Sequence, residues 1–400
     1  MTKNPNSEGT AEVVELTVVM PCLNEADTLG ICLDKAFRAI REHGIKAEVV
    51  VADNGSTDGS IEIAEAAGAR VVPVSEKGYG NALMGGIEAA RGRFVIMGDA
   101  DDSYDFLEIP KFVDKLREGF DLVQGCRLPG GGGTVLPGAM PFLHRVWGNP
   151  MFTFLVRNWF GAPIHDVYCG LRGFTKELYR KLEQRCVGME FATEMIIKSS
   201  LYQKSFGVRI AEVPITLHPD GRKAHAPHLR TFRDGWRTLR FFMLYSPRWL
   251  FGIPGIGLGL LGLCLALLVY GNVQLGNAVF DAHTLLFASL FVILGYQSLL
   301  FGAFTKVFAI GEHLMPMDEK SRALFKIFTL EKGAIAGILV FVAGLFLLIA
   351  AVWQWWLTGF GRLDYSQTMR WVIPGMTFAA IGAQTVLGSL FLSILGMRRK

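Results

Sequence analysis

Two hydrophobic patterns alternate along the first part of the chain, and a third replaces them later. Between residues 13 and 127, short apolar runs rich in β-branched residues recur: VELTVVMP, AEVVVAD, ARVVPV, RFVIMGDAD and DLVQGCR. Their length and bounding polar clusters predict buried strands. Helix-like segments lie between them: EADTLGICLDKAFRAIREHG, GSIEIAEAAG and YGNALMGGIEAARG. Strand and helix in regular alternation predict an α/β domain whose mostly parallel sheet has helices on both faces. Ligands of such sheets bind beyond the carboxyl ends of the strands. The polar clusters fall there: Asn24-Glu25 after the first run, Asp53-Asn54-Gly55-Ser56 after the second, and Asp99 to Asp105 after the fourth.

Past residue 248 the pattern changes to long uncharged stretches, at 249–270, 284–305, 333–361 and 371–397. About 20 apolar residues cross a bilayer, so four transmembrane helices are predicted. Three regions follow: a catalytic domain at 1–217, a basic juxtamembrane segment at 218–248, and a four-helix membrane domain at 249–400. Within the middle region, 220–248 carries seven Arg or Lys against two Asp. Phe232, Trp236, Leu239 and Met243 recur at helical spacing there, which predicts a helix lying among lipid headgroups.

Charge refines this division. The net +4 comes wholly from the membrane half, since the first 248 residues hold thirty basic and thirty acidic residues. That balance speaks against a general nucleic-acid binder. The N-terminus lacks a basic start followed by an apolar run, so no signal peptide is expected. The 311–332 loop and the C-terminus are rich in Lys and Arg, whereas the 271–283 loop has none. Positive residues favour the cytoplasmic side. The expected placement is a multi-pass protein of the plasma (inner) membrane, with catalytic domain and both termini cytoplasmic. Six scattered cysteines without C-x-x-C read as reduced, packed thiols. His225 and His228 alone are too few to form a metal site.

Candidate chemistry centres on MGDADDSYDF at 97–106, where Asp99, Asp101, Asp102 and Asp105 crowd the end of a strand. Asp99-Ala100-Asp101 is a D-x-D whose hard oxygens suit Mg²⁺ or Mn²⁺ held jointly with a substrate's phosphates. A dinucleotide fold is disfavoured, because Gly78-Tyr79-Gly80-Asn81-Ala82-Leu83 lacks the third glycine and follows the third strand rather than the first. The Gly130–Gly133 run reads as a flexible loop or a mobile lid.

Taken with MPCLNEADTL at 20–29 and VVVADNGSTDGS at 49–60, the D-x-D resembles the inverting family 2 glycosyltransferases of the GT-A fold. Pro21, Asn24 and Glu25 match that family's P-x-x-N-E. Asp53, Gly55, Ser56, Asp58 and Gly59 match its D-D-G-S-x-D-G-T, with Asn54 and Ser60 as departures. The resemblance implies a Rossmann-like GT-A domain with Pro21, Glu25 and Asp53 facing the nucleotide. It further implies Asp99 near the ribose and Asp101 as the principal metal ligand, with Asp99 beside it.

Gly125-Cys126-Arg127, Arg145-Val146-Trp147-Gly148-Asn149 and Asp166-Val167-Tyr168-Cys169-Gly170-Leu171-Arg172 resemble segments of the polyprenyl-phosphate sugar synthases, the group that includes dolichol-phosphate mannose synthase. By that resemblance Arg127, Arg145 and Asn149 hold the acceptor phosphate, Asp166 serves in catalysis by positioning acceptor or donor, and Arg222 and Lys223 close on the donor diphosphate. The R-x-x-G-x-S-K of that group is only partly matched, with His218 for Arg. A phosphate monoester is mostly dianionic at neutral pH and attacks without a general base. Glu190 and Glu194 could reach the sugar or form a solvated helix face.

The function expected is metal-dependent transfer of a hexose from a nucleotide-sugar, of the UDP-glucose or GDP-mannose type, to an undecaprenyl or dolichyl type of polyprenyl phosphate. Implied partners are the donor, the lipid acceptor and membrane lipids, with no nucleic acid; a homo-oligomer stays open. Two alternatives are a processive polysaccharide synthase, whose Q-x-x-R-W mark occurs at Gln367–Trp371, and a catalytically inactive nucleotide-sugar-binding scaffold.

Overall fold

The computed structural model describes residues 13–222, 231–276, 278–312 and 330–396, with 314–317, 319 and 322 between the last two. The chain divides into two compact units, Met1–Phe241 and Phe242–Lys400.

In the first unit, strands β1 (Leu16–Cys22), β2 (Ala47–Asp53), β3 (Arg70–Pro73), β4 (Phe94–Met97) and β5 (Leu122–Cys126) occupy the five apolar runs. A short β6 (Thr134–Val135) precedes β7 (Arg172–Thr175), β8 (Ile210–Pro214) and β9 (Thr216–Leu217). The main sheet has the order β3-β2-β1-β4-β7-β5-β8. β1 runs parallel to β2 and β4, while β7 is antiparallel to both β4 and β5. The sheet is therefore mixed, with one reversed strand inside a parallel framework, followed by four apolar helices: the GT-A architecture. β7 escapes sequence patterning because it is four residues, RGFT, with a charged first position.

Helices α1 (Leu29–Glu42), α2 (Ser60–Ala66), α3 (Tyr79–Ala89) and α4 (Ile109–Arg117) fill the crossovers. α1 shows why the pattern works. Leu29, Cys32, Leu33, Ala36, Ala39 and Ile40 are its buried residues, spaced three and four apart on one stripe. Gly44 at φ 58° turns the chain into β2. Thr28, which precedes α1, donates its hydroxyl to the Ala100 carbonyl at 2.6 Å, so the start of α1 is tied to the loop after β4. Helices α5 (Asn149–Phe160), α6 (Lys176–Leu182), α7 (Glu190–Phe206) and α8 (Thr231–Leu244) follow.

The connections from β1 lead to β2 and β3 on one side, and β4 lies on the other side of β1. This reversal is a topological switch point, and a crevice opens beyond the carboxyl ends of the two diverging strands. Glu25 and Asp99 follow those two ends.

Among the described residues of the second unit, four helices are long and apolar enough to span a membrane: Arg248–Tyr270, Ala282–Gly311, Leu330–Leu357 and Tyr365–Leu395. The protein is thus a multi-pass membrane protein. Lipid offers little hydrophobic drive between helices, so they associate by close backbone packing. The third and fourth helices meet at Gly337, Gly344, Gly375 and Gly382. A Cβ on Gly344 would lie 2.6 Å from the Gly375 carbonyl oxygen, and one on Gly382 would lie 2.6 Å from Phe341 Cα. Hydroxyl pairs join the second and fourth helices, Ser289 to Thr377 and Tyr296 to Thr385, each at 2.6 Å. Gln367–Trp371 belongs to the first turns of the fourth helix, where Arg370 donates to Asn272 Oδ1 at 2.8 Å. In this unit the Q-x-x-R-W residues serve a helix-to-loop contact.

Gly344→Leu or Gly382→Leu should force the third and fourth helices apart and lower the melting temperature of detergent-solubilised protein. Gly257→Leu, with open space around its Cβ position, should leave it within a degree or two.

Candidate active site

Two loops beyond β1 and β2 are built as one piece. Asn24, in a left-handed conformation at φ 57°, accepts from Thr57 N–H through Oδ1 at 2.8 Å. Ser56 and Ser60 hydroxyls accept from the N–H groups of Asn24 and Glu25, both at 3.0 Å, and Asp58 accepts from Ala26 N–H at 3.0 Å. These bonds fix Glu25 in the crevice with its carboxylate nearly buried. Asp53 is also buried and turns back on its own loop, accepting from Gly55 N–H at 2.9 Å and Ser56 N–H at 3.1 Å. Pro21 lies half-buried on β1, paired in register with Ala52.

The Asn at position 54 has a physical reason. Its amide donates to the carbonyls of Val74 and Glu76, at 3.0 and 2.8 Å, while Oδ1 accepts from Gly78 N–H at 2.9 Å. A carboxylate could not donate to either carbonyl. Asn54 thereby fastens the loop after β2 to the approach of α3.

The four carboxylates after β4 part company. Asp105 caps the next turn through Leu107 N–H at 3.1 Å. Asp102, at φ 59°, pairs with Lys35 of α1 at 2.8 Å. Asp99 and Asp101 remain for the crevice. Tyr79 donates its hydroxyl to Asp99 at 2.8 Å. Burial, reinforced by the Asp101 charge, pushes the Asp99 carboxyl up to about 7. Arg172 offsets part of this from below: it is fully buried on β7 and lies opposite Met97 in the β4 register. Its Nη2 donates to the Cys169 carbonyl at 2.6 Å. Asp101 accepts from Ser103 N–H at 3.0 Å and from its hydroxyl at 2.6 Å.

A cation already answers the second carboxylate. Arg222 donates to Asp101 at 3.1 Å and to Glu25 at 3.2 Å, and Asp220 grips its Nε at 2.9 Å. The segment before it lies along the loop after β4, with Gly221 N–H bonded to the Asp101 carbonyl at 3.0 Å and His218 N–H to that of Ser103 at 2.9 Å. A Cβ on Gly221 would approach Thr28 to 3.0 Å, so glycine permits this close course. Arg222 therefore bridges the loops after β1 and β4. Lys223, His225 and His228 lie outside the described residues.

Asp99 and Asp101 offer hard oxygens under electrostatic strain that a divalent ion would relieve, so the residues fit Mg²⁺ or Mn²⁺. No group of three His, Cys, Asp or Glu side chains among the described residues makes a complete cage. An ion at this cluster would complete its shell with phosphate oxygens and water, the usual habit of Mg²⁺.

The structure brings Arg127 and Asp166 together as a pair. Arg127 Nε and Nη2 donate to the two oxygens of Asp166 at 2.7 and 2.9 Å, and Arg127 N–H donates to the same carboxylate at 3.0 Å. Tyr168 N–H adds a further bond at 3.2 Å, and Asp166 has no exposed surface. Asp166 is thus saturated and sealed. The remaining Nη1 of Arg127 faces the Tyr104 hydroxyl at 3.5 Å, which also accepts from Gly170 N–H at 2.8 Å. Behind the pair, Glu212 accepts from His165 N–H at 2.7 Å and Asp166 N–H at 3.2 Å, and meets His165 Nδ1 at 2.8 Å.

Arg145 is exposed on the turn His144–Gly148 ahead of α5, and Asn149 begins that helix with its amide 3.3 Å from Met140 Sδ. Arg145 lines an open groove of about 700 Å³ with Leu128, Pro129, Phe154, Arg157 and His165 among its other walls. Of the four residues in the Gly130–Gly133 run, Gly133 packs hardest, since its Cβ would fall 2.5 Å from the Arg127 carbonyl carbon. The run is the backbone-packed rim of β5. Glu194 is fully buried against Lys198 at 2.8 Å, and Glu190 pairs with Arg237 at 2.8 Å, so neither faces open solvent alone. The sequence assigns no role to Tyr79, Tyr104 or Glu212, and Arg172 enters there only as the last residue of the Asp166–Arg172 segment; the partners of all four lie far from them along the chain.

A doubly wound sheet that gathers metal-suited carboxylates at its switch point, joined to a membrane-spanning unit, defines a membrane-anchored GT-A transferase. Comparison with known proteins agrees. Residues 17–183 match the Glycosyl transferase family 2 model, and residues 303–396 match the Glycosyltransferase family 2 C-terminal transmembrane region. The chain is 37% identical over 386 residues to the low-salt glycan biosynthesis hexosyltransferase Agl6 of Haloferax volcanii, covering 95% of this chain and 89% of that one. It is 35% identical over 221 residues to a dolichyl-phosphate hexose transferase of the same organism, covering 55% and 89% respectively. Among solved structures, glucosyl-3-phosphoglycerate synthase from Mycobacterium tuberculosis with Mn²⁺ and UDP aligns at 23% identity and a TM-score of 0.45, over 57% of this chain and 78% of that one. The chain belongs to glycosyltransferase family 2, and it is an enzyme.

Two outcomes follow from the crevice. Arg222→Gln should let metal-free protein bind Mn²⁺ about tenfold more tightly in the absence of nucleotide, read by loss of the free Mn²⁺ electron paramagnetic resonance signal, because the competing cation is gone. The raised Asp99 carboxyl favours the metal-free fold most at low pH, and that contribution is lost as pH rises through about 7. Asp99→Asn should therefore raise the melting temperature of metal-free protein more at pH 8 than at pH 5.

Proposed function

We propose that this enzyme transfers a hexose from a nucleotide-sugar to a polyprenyl phosphate at the cytoplasmic face of the membrane, inverting the anomeric centre in one displacement. The observation that carries this is the cluster of Asp99 and Asp101 at the switch point, bridged to Glu25 by Arg222. The dolichyl-phosphate hexose transferase among its relatives supports the acceptor class.

Glu25 and Pro21 flank the nucleotide, and Asp53 shapes the loop that receives it. Asp99 and Asp101 are the residues that would hold Mg²⁺ or Mn²⁺, whose contribution is to neutralise the charge growing on the departing diphosphate. Arg222, released from Asp101 and Glu25 as donor binds, turns its fork to the diphosphate oxygens, for which its bidentate geometry is suited. Lys223, which lies outside the described residues, is the second cation that the family resemblance implies for the diphosphate.

A phosphate acceptor accounts for the sealed state of Asp166. Its oxygens accept four hydrogen bonds, so it has no lone pair free to take a proton from a hydroxyl acceptor. A phosphate dianion needs no such service. Asp166 instead holds Arg127 in place, and Arg127 keeps Tyr104 and the Gly170 turn next to Asp99. The Cβ position of Gly170 lies 2.6 Å from Asp99 Oδ2 and 3.1 Å from the Tyr104 hydroxyl, which shows how closely these parts are fitted. The arginine-bearing and lysine-bearing loop at 311–332 supports a cytoplasmic catalytic unit.

Purified full-length protein should release nucleoside diphosphate and form a glycolipid when given the matching nucleotide-sugar, a polyprenyl phosphate and Mn²⁺. EDTA should stop both. Asp101→Ala should lower turnover by about a hundredfold or more while membrane insertion is unchanged. Full turnover in EDTA, or a polymeric product retained without lipid, would sink the proposal.

A further inference from the structure

The second and fourth membrane helices each carry a glutamine where hydrocarbon surrounds the chain. Gln297 stands near the middle of Ala282–Gly311, a span of 30 residues, and Gln384 lies within Tyr365–Leu395. Both line one groove of about 340 Å³, together with Phe301, Leu387 and Phe391. The amide oxygen of Gln384 is enclosed and accepts no hydrogen bond. Gln297 is exposed, and its side chain has no hydrogen-bond partner among the described residues. Gly388 keeps the groove open, since a Cβ there would come within 3.3 Å of Leu300 and 3.4 Å of Phe304. The rim is apolar, with Leu387 66% and Phe391 45% exposed. Hydrocarbon can neither donate to a carbonyl oxygen nor accept from an amide N–H, so lipid alone leaves this face unsatisfied.

The two glutamines share a depth. Ser289 bonds Thr377 and Tyr296 bonds Thr385, pairs 88 and 89 positions apart, so the two helices run in the same direction with a fixed offset. Gln297 advanced by that offset falls one or two residues from Gln384, about 3 Å or less of helical rise. Copies of one chain inserted the same way in a membrane are related by an axis along its normal, and a two-fold axis of that kind keeps every residue at its own depth. Gln297 of one copy then meets Gln384 of the other at one level, and the reverse pair forms with it. We propose that this groove seats a second copy of the chain, joined to the first by reciprocal Gln297–Gln384 hydrogen bonds inside the bilayer.

A carboxamide suits a symmetric contact because it donates and accepts at once, so one residue type serves both sides. Membrane helices associate through such polar side chains and through close packing. The neighbouring polar groups are already spent: Tyr296 and Thr385, one position from the two glutamines, bond each other at 2.6 Å within one copy. A lipid or polyprenyl chain would cover the apolar rim and leave the Gln384 oxygen without a donor. The inference does not rest on the reaction proposed above, whose residues all belong to the first unit.

The test measures self-association of full-length protein in neutral lipid vesicles, by energy transfer between N-terminally labelled copies as the protein-to-lipid ratio is varied. Wild type should dimerise, and Gln297→Leu/Gln384→Leu should need about tenfold or more higher density to do so, as expected for two lost interhelical bonds. A second arm keeps both glutamines. In a Cys186→Ser/Cys264→Ser background, whose remaining cysteines are buried, Leu387→Cys should be joined into a dimer by a short bis-maleimide. Leu339→Cys on the third helix, equally exposed at 66%, should not be. Equal association of wild type and the glutamine variant assigns the two amides to each other within one copy and overturns the inference. Cross-linking no stronger at 387 than at 339 overturns it as well. Absence of dimer at every density, with Leu387→Cys shielded from a lipid-soluble maleimide by added polyprenyl phosphate, assigns the groove to a hydrocarbon chain and overturns it too.

Discussion

Burial of Asp99 beside a second carboxylate, Asp101, is the constraint on which the crevice depends. The backbone after β4 sets them two residues apart in a partly dehydrated crevice, where like charges cannot be screened as they are in bulk water. The surrounding groups divide the work of answering that charge. Tyr79 bonds Asp99, the charge of Arg172 on β7 offsets part of its burial, Ser103 twice bonds Asp101, and Arg222 spans from Asp101 to Glu25. Lys35 draws Asp102 out of the cluster altogether. Such an arrangement is costly unless a cation is present, and it is most useful when that cation can be exchanged. Arg222, between Asp101 and Glu25, answers that charge in the crevice as it stands.

Support for the crevice comes from polar contacts between loops, more than from hydrophobic packing at the site itself. Asn54 shows the principle. Its amide serves two carbonyls and one N–H at once, a set that needs both donor and acceptor capacity. The Arg127–Asp166 pair does the same beyond β5, backed by Glu212. A buried pair of this kind adds little stability over an apolar replacement, but losing one partner leaves an uncompensated charge. Its value lies in fixing the positions of Tyr104, the Gly170 turn and the groove wall.

The membrane unit solves a different problem with different residues. Its helices expose large apolar side chains to lipid, so hydrophobic burial cannot select their partners. Contact specificity comes from glycines that let backbones touch and from hydroxyl pairs inside the bundle. The polar Gln367–Trp371 segment is read in the same terms, as a helix start fastened to the loop near Asn272.

Much of this was legible in the order of residues. Apolar periodicity located five strands and four membrane helices, because burial on both faces of a sheet and passage through hydrocarbon both demand long-lived composition rules. The three polar clusters at strand ends were visible for the same reason: a parallel sheet must send its loops to one edge. What periodicity could not convey was pairing across distance. β7 is too short and too polar to signal itself, yet its antiparallel insertion sets Arg172 opposite Met97, where its charge acts on Asp99. Nothing in the spacing of Arg127 and Asp166 tells that they neutralise each other. Sequence by itself determined which side chains exist and which elements carry them. Tertiary structure alone decided which charges are spent on each other and which stay available, because Coulomb interactions and hydrogen bonds depend on separation in space and on access to water.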